Sequence, residues 1–135
     1  MQASPALREL FERSLRETAA KNAQAIFDMC SRDPNALFIG TAPNEWLQGL
    51  AALEPVMSAS MEASSGMAPA NPQIVAYEEG PVGWIAAQWD VRLPNGSAIT
   101  LRATTVCHQE GGQWRAVHTH QSVGVPDGLV MNVAR

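Results

Sequence analysis

Over the first thirty residues apolar positions recur at spacings of three and four: Leu7, Leu10, Phe11, Leu15, Ala19, Ala23, Ile26, Phe27 and Cys30. That period gathers them into one stripe of a helix. Ser4 followed by Pro5 supplies an N-cap and a proline at the first helical position. Arg8–Glu12 and Arg13–Glu17 are i,i+4 pairs on the opposite face. Ser31-Arg32-Asp33-Pro34-Asn35 is expected to end this helix, because proline disfavours helical backbone in the residue before it. Ala36 to Gly40 is an apolar run that suits a short buried strand. Thr41 can cap a further helical turn, with Pro43 near its start and Glu45 in its first turn, where a negative charge suits the dipole. Gly49 breaks that turn. Leu50, Leu53, Met57 and Met61 mark a second helix, with Pro55 acceptable only in its first turn. The stretch 63–72 (ASSGMAPANP) is a loop by composition.

Beyond it the period changes to two. Four strands are predicted, Gln73–Glu79, Val82–Leu93, Ala98–Gln109 and Trp114–Val125, divided by Gly80-Pro81, Asn95-Gly96 and Gly111-Gly112. A two-residue turn at Asn95-Gly96 sets Trp89 opposite Arg102 and Ala87 opposite Thr104. A three-residue loop at Glu110-Gly111-Gly112, with Gly112 left-handed, sets Arg102 opposite His120 and Thr104 opposite His118. One face then carries Ile85, Ala87, Trp89, Arg102, Thr104, Val106, His118, His120 and Ser122. The other carries Trp84, Ala86, Asp90, Leu101, Ala103, Thr105, Cys107, Val117, Thr119 and Gln121. Helix, short strand, helix and an antiparallel meander make one α+β domain over residues 1–135, with the helices on one side of a curved sheet.

Composition narrows the function classes. The 135 residues are 46% apolar and only 16% charged, with a net charge of −4 from nine basic and thirteen acidic side chains. All the basic residues but Lys21 are arginine. A chain of this balance lacks the basic face that nucleic acid or an anionic membrane requires. No run approaches the ~20 apolar residues of a membrane span, and the charged N-terminus reads as no signal peptide. The expected setting is cytoplasmic. Cys30 and Cys107, far apart and without Cys-x-x-Cys or Cys/His spacing, are expected to be buried thiols.

Leu37-Phe38-Ile39-Gly40-Thr41-Ala42-Pro43-Asn44-Glu45-Trp46 with Gly49 resembles the opening motif of SnoaL-like proteins of the nuclear transport factor 2-like superfamily. Arg102 to Val106, Gly112 and Trp114 to Ser122 resemble their closing hairpin. The ending is also similar to the association domain of calcium/calmodulin-dependent kinase, with the same Trp, His-x-His and Ser spacing. The resemblance spans nearly the whole chain in element order. It implies a cone: a long N-terminal helix, a curved antiparallel sheet wrapped around it, a pocket between them, and a homodimer built through the sheets. Such proteins include ketosteroid isomerase, polyketide cyclases, dehydratases and non-catalytic assembly modules, so fold alone does not give function. Where the kinase domain has pocket arginines this chain has Thr105 and Gln121, which implies two uncharged pocket positions.

The candidate chemistry is sparse. His118 and His120 share a strand face, a geometry a metal accepts given a third ligand. His108 and Asp90 occupy other strand positions, so no metal site and no cofactor are expected. The imidazoles are expected to bond Arg102, Thr104 or Ser122, or to act as acid, base or anchor in the pocket. Arg102 can pair across a dimer, stack on Trp89, or hold a carboxylate or enolate oxygen. Asp90, by the resemblance at the pocket mouth, can serve as a general base if burial raises its pKa. Trp46, beside a glycine-flanked turn, is the candidate pocket wall, and Met57, Met61 and Met67 can add an adaptable lining. The leading expectation is a domain binding a small apolar or carbonyl-containing molecule. A cofactor-free isomerase, cyclase or dehydratase using Asp90 or a histidine with Arg102 stands beside it, as does a homo-oligomeric assembly module.

Overall fold

A computed structural model describes residues 1–64 and 68–131. Ser4 caps α1 (Pro5–Ala19), its Oγ accepting the Leu7 N–H at 3.2 Å while its hydroxyl donates to Glu78. The single thirty-residue helix does not form. Lys21 turns left-handed (φ +59°), its N–H reaching the Thr18 carbonyl and the Asn22 N–H the Glu17 carbonyl. This is the paired closure normally built on glycine. Asn22 then caps α2 (Ala23–Asp28) by accepting the Ala25 N–H. The periodicity ran through the break because both helices turn the same stripe, Leu7 and Phe11, then Ile26 and Phe27, into the core.

β1 (Gln2–Ala3) pairs with the later strand β4 and was not foreseen. β2 (Leu37–Ile39) forms as expected, but no helical turn follows it. The Gly40 N–H bonds the Glu45 carbonyl and the Glu45 carboxylate accepts the Ala42 N–H. This closes a tight loop into β3 (Trp46–Gln48), antiparallel to β2. α3 (Leu50–Ala63) starts from Gly49 at φ +83° and carries Pro55 in its second turn, not its first. β4 (Pro69–Glu79) begins inside the expected loop, with a bulge between Ala70 and Gln73. Met67 lies outside the described residues.

β5 (Val82–Arg92), β6 (Ala98–Glu110) and β7 (Gln113–Gly124) complete an unclosed, curved seven-stranded sheet of order β1-β4-β5-β6-β7-β2-β3. All neighbours are antiparallel except β2 and β7. The β5–β6 register differs from expectation by one: Trp89 faces Leu101, and Gln88 faces Arg102. Pro94 explains it. A two-residue turn needs an N–H from the residue before it, which proline lacks. The closing bond passes to the Leu93 N–H on the Ser97 carbonyl, and Gly96 (φ +88°) ends a three-residue loop. The β6–β7 hairpin errs the other way, turning on Gly111 and Gly112 alone. A bulge at Val117 then restores the expected parity, setting Arg102 opposite Ser122 and Thr104 opposite His120.

The faces therefore sort differently from the sequence reading. Ile85, Ala87 and Trp89 share the inner face with Ala103, Thr105 and Cys107, under α1. Trp84, Ala86 and Asp90 join Arg102, Thr104, His118 and His120 on the outer face. Leu7 and Ile85 are sealed from solvent, and Trp89 meets Phe11 edge-on at 5.6 Å between ring centres. Gly83 lets α1 approach, since a Cβ there would run into the Leu7 side chain.

Candidate functional site

Inside the cone a cavity of about 380 Å³ lies between the helices and the inner face. α1 supplies Phe11 and Leu15, α3 supplies Leu53 and Met57, and the sheet supplies Trp89 and Leu101. Polar groups are few. Thr105 and Thr119 lie 3.3 Å apart, oxygen to oxygen, on the sheet wall. Gln121 and Glu45 stand toward the end where β2 runs into its loop. Of the sequence candidates, Trp89, Thr105 and Gln121 line this space, as do Met57 and Met61.

The others do not. Trp46 is 66% exposed and points from β3 away from the cavity, because Leu47 takes the inward position of that short strand. Arg102, His118 and His120 lie on the outer face around a depression open to solvent, shared with Gln73, Gln88 and Ser122. His118 Nδ1 donates to the Leu37 carbonyl at 2.8 Å, tying β7 to β2, rather than to Arg102, Thr104 or Ser122. Arg102 cannot stack on Trp89, which is across the sheet. Asp90 accepts from the Thr100 hydroxyl at 2.8 Å and the Asn71 amide at 3.2 Å, and these bonds hold its carboxyl below the usual range. That is the opposite of what a general base needs. The acid–base set of Asp90, histidine and Arg102 is thus separated from the cavity by the sheet itself.

Glu45 was missed as a cavity residue because its segment read as the first turn of a helix. The alternation Glu45, Trp46, Leu47, Gln48 after a glycine-bounded strand was the available signal for a hairpin. Among the described residues no three His, Cys, Asp or Glu side chains gather as a metal site, and no helix is long and apolar enough to cross a membrane. Cys107 pairs with Ala116 in the ladder and Cys30 bridges Ala116 from its other side. Two strand spacings, roughly 10 Å, exceed disulfide reach. Burial pushes both thiols up to about 12.

Residues 7–126 match the SnoaL-like domain family, and the chain belongs to it. No protein of curated function matches. Among solved structures, the chain is similar to a nuclear transport factor 2-like protein of unknown function from Pseudomonas putida KT2440. The identity is 20%, the TM-score 0.71, and the match covers 92% of this chain and 91% of that one. A candidate ketosteroid isomerase from Parabacteroides distasonis matches at 16% identity and TM-score 0.66, over 93% and 96% of the two chains. A candidate calcium/calmodulin-dependent protein kinase II association domain from Xanthomonas campestris matches at 18% and 0.65, over 92% and 95%. At these identities the likeness is one of fold.

Proposed function

We propose that this chain is a small-molecule-binding domain whose ligand sits between α1, α3 and the inner face of the sheet. The observation that carries it is the cavity of about 380 Å³ with apolar walls and a few polar groups. Binding pockets typically have that size and that sparing polarity. Native mass spectrometry of the purified protein, and titration with the uncharged fluorophore N-phenyl-naphthylamine, test it. Saturable binding of one probe per chain is expected, weakened by Ser60→Trp, which directs an indole into the cavity from α3. Absence of both a bound mass and saturable probe binding overturns the reading.

A second copy of the chain is the partner that suits the outer face. Val75, Ala86, Thr104, His120, Ile39 and Trp46 follow one another across the sheet in register. Trp46 and Val75 are exposed, and Arg102, Asp90, Arg92, Glu79 and Arg115, charged residues of this face, flank that row. A row without Asp, Glu, Lys or Arg loses little hydration on pairing with its own copy. Sedimentation velocity is expected to show a dimer that Val75→Glu splits. A monomer at micromolar concentration removes this partner.

A further inference from the structure

The wall of the cavity carries one charged side chain among the described residues, Glu45; no Arg, Lys or His lines it. The loop fixes where that carboxylate sits. Oε1 accepts the Ala42 N–H at 2.8 Å, and the chain doubles back so that the Gly40 N–H meets the Glu45 carbonyl. A Cβ on Gly40 would lie 2.8 Å from the Glu45 carboxyl carbon, so the glycine leaves the space the acid fills. Oε2 has no hydrogen-bond partner among the described residues. Neither has the Gln121 amide, which lines the same space one residue after His120, the partner of Ile39.

A ligand that covers a carboxylate without bonding it strips its water at a cost, and an anionic ligand adds repulsion. A ligand that brings its own positive donor avoids both. We infer that the cavity selects molecules with an apolar body ending in a protonated amine, held by Glu45 Oε2 with the Gln121 amide beside it. The inference rests on the cavity being a ligand site.

Isothermal titration of the full chain with phenylbutylamine, phenylbutanol and phenylbutyrate at neutral pH tests it, since the three share one apolar body. The amine is expected to bind roughly tenfold or more tightly than the acid, with the alcohol between them. Glu45→Gln keeps an acceptor for the Ala42 N–H and is expected to reduce the amine's margin over the alcohol to about unity. Gly40→Ala, which pushes the carboxylate aside, is expected to reduce the same margin in protein whose thermal unfolding stays cooperative. If Gly40→Ala does not fold, Glu45→Gln decides alone. An amine no tighter than the acid, or a margin that survives Glu45→Gln, overturns the inference and leaves the cavity reading standing. If none of the three binds while N-phenyl-naphthylamine does, the inference is overturned and the cavity reading stands; if the fluorophore and a native bound mass are absent as well, both fall.

Discussion

The inner and outer faces of β5, β6 and β7 are built from alternate residues of the same strands, yet they do different work. Inward, Ile85, Trp89, Thr105 and Cys107 are almost wholly buried against α1 or around the cavity. Outward, Gln88, Arg102, Thr104 and His120 are exposed. The conspicuous chemistry of the sequence, two histidines, an arginine and an aspartate, is on the open face. The cavity keeps hydroxyls, one amide and one carboxylate. A conspicuous residue type therefore says little about a pocket until the parity of its strand is known.

Stability separates the faces most strongly. Leu7→Ala removes the contact that seats α1 on the sheet and is expected to cost about 3 kcal/mol in urea unfolding. Val75→Ala on the outer face is expected to stay within about 0.5 kcal/mol. Equal costs would mean that both faces are covered. Gly83→Ala comes next, at about 2 kcal/mol, because its Cβ displaces Leu7. In a Leu7→Ala background that penalty is expected to shrink, and a strictly additive double mutant would break the account.

Reactivity sharpens the same contrast without a large energy. Alkylation needs a thiolate, and burial holds the Cys30 and Cys107 thiols near 12. At mildly alkaline pH the folded protein is expected to leave both unmodified by iodoacetamide, while diethyl pyrocarbonate labels His120 on the outer face. Mass spectrometry reads both, and labelling of the cysteines at a free-thiol rate would show the inner face to be open.

The smallest effect is a pH dependence at Asp90. Its folded pKa lies below the ordinary value, through the Thr100 and Asn71 bonds. Its contribution to stability is thus present above the ordinary carboxylate range, near ~4, and is lost as pH falls through the lowered folded value. The melting temperatures of wild type and Asp90→Asn are expected to differ slightly at neutral pH and to converge in acid. A gap that widens on acidification contradicts the hydrogen-bond account.

Most of the fold was legible, for local reasons. Ser4-Pro5 starts a helix wherever it is placed, and the Gly-containing turns divided the strands to within a few residues. The family motifs led to the same cone. What was not legible depended on single backbone choices. Nothing in Lys21 announces a left-handed residue, so one amphipathic stripe read as one helix. Pro94 did contain the β5–β6 register, since it cannot close a two-residue turn, but the Asn-Gly pair beside it gave the louder signal. That one-residue slip put Arg102 on the same face as Trp89, whereas the sheet sets them on opposite sides. Glu45 was hidden because Thr41, Pro43 and the acid itself suit the first turn of a helix, a stronger local signal than the short alternation that follows.

Val117 is the unpaired residue in β7. It stands between Ala116, which faces inward, and His118, which faces outward. Losing a single codon there would make Ala116 and His118 ordinary strand neighbours, one facing in and one out, keep His118 opposite Val106, and leave Thr119 and Gln121 in the cavity. Descent within such a scaffold can therefore shed or regain this one residue and keep the histidines on the outer face. One deletion trims the strand while both linings stay where they are, which makes the bulge a place where relatives of near-identical architecture can differ in length without a change in the pocket.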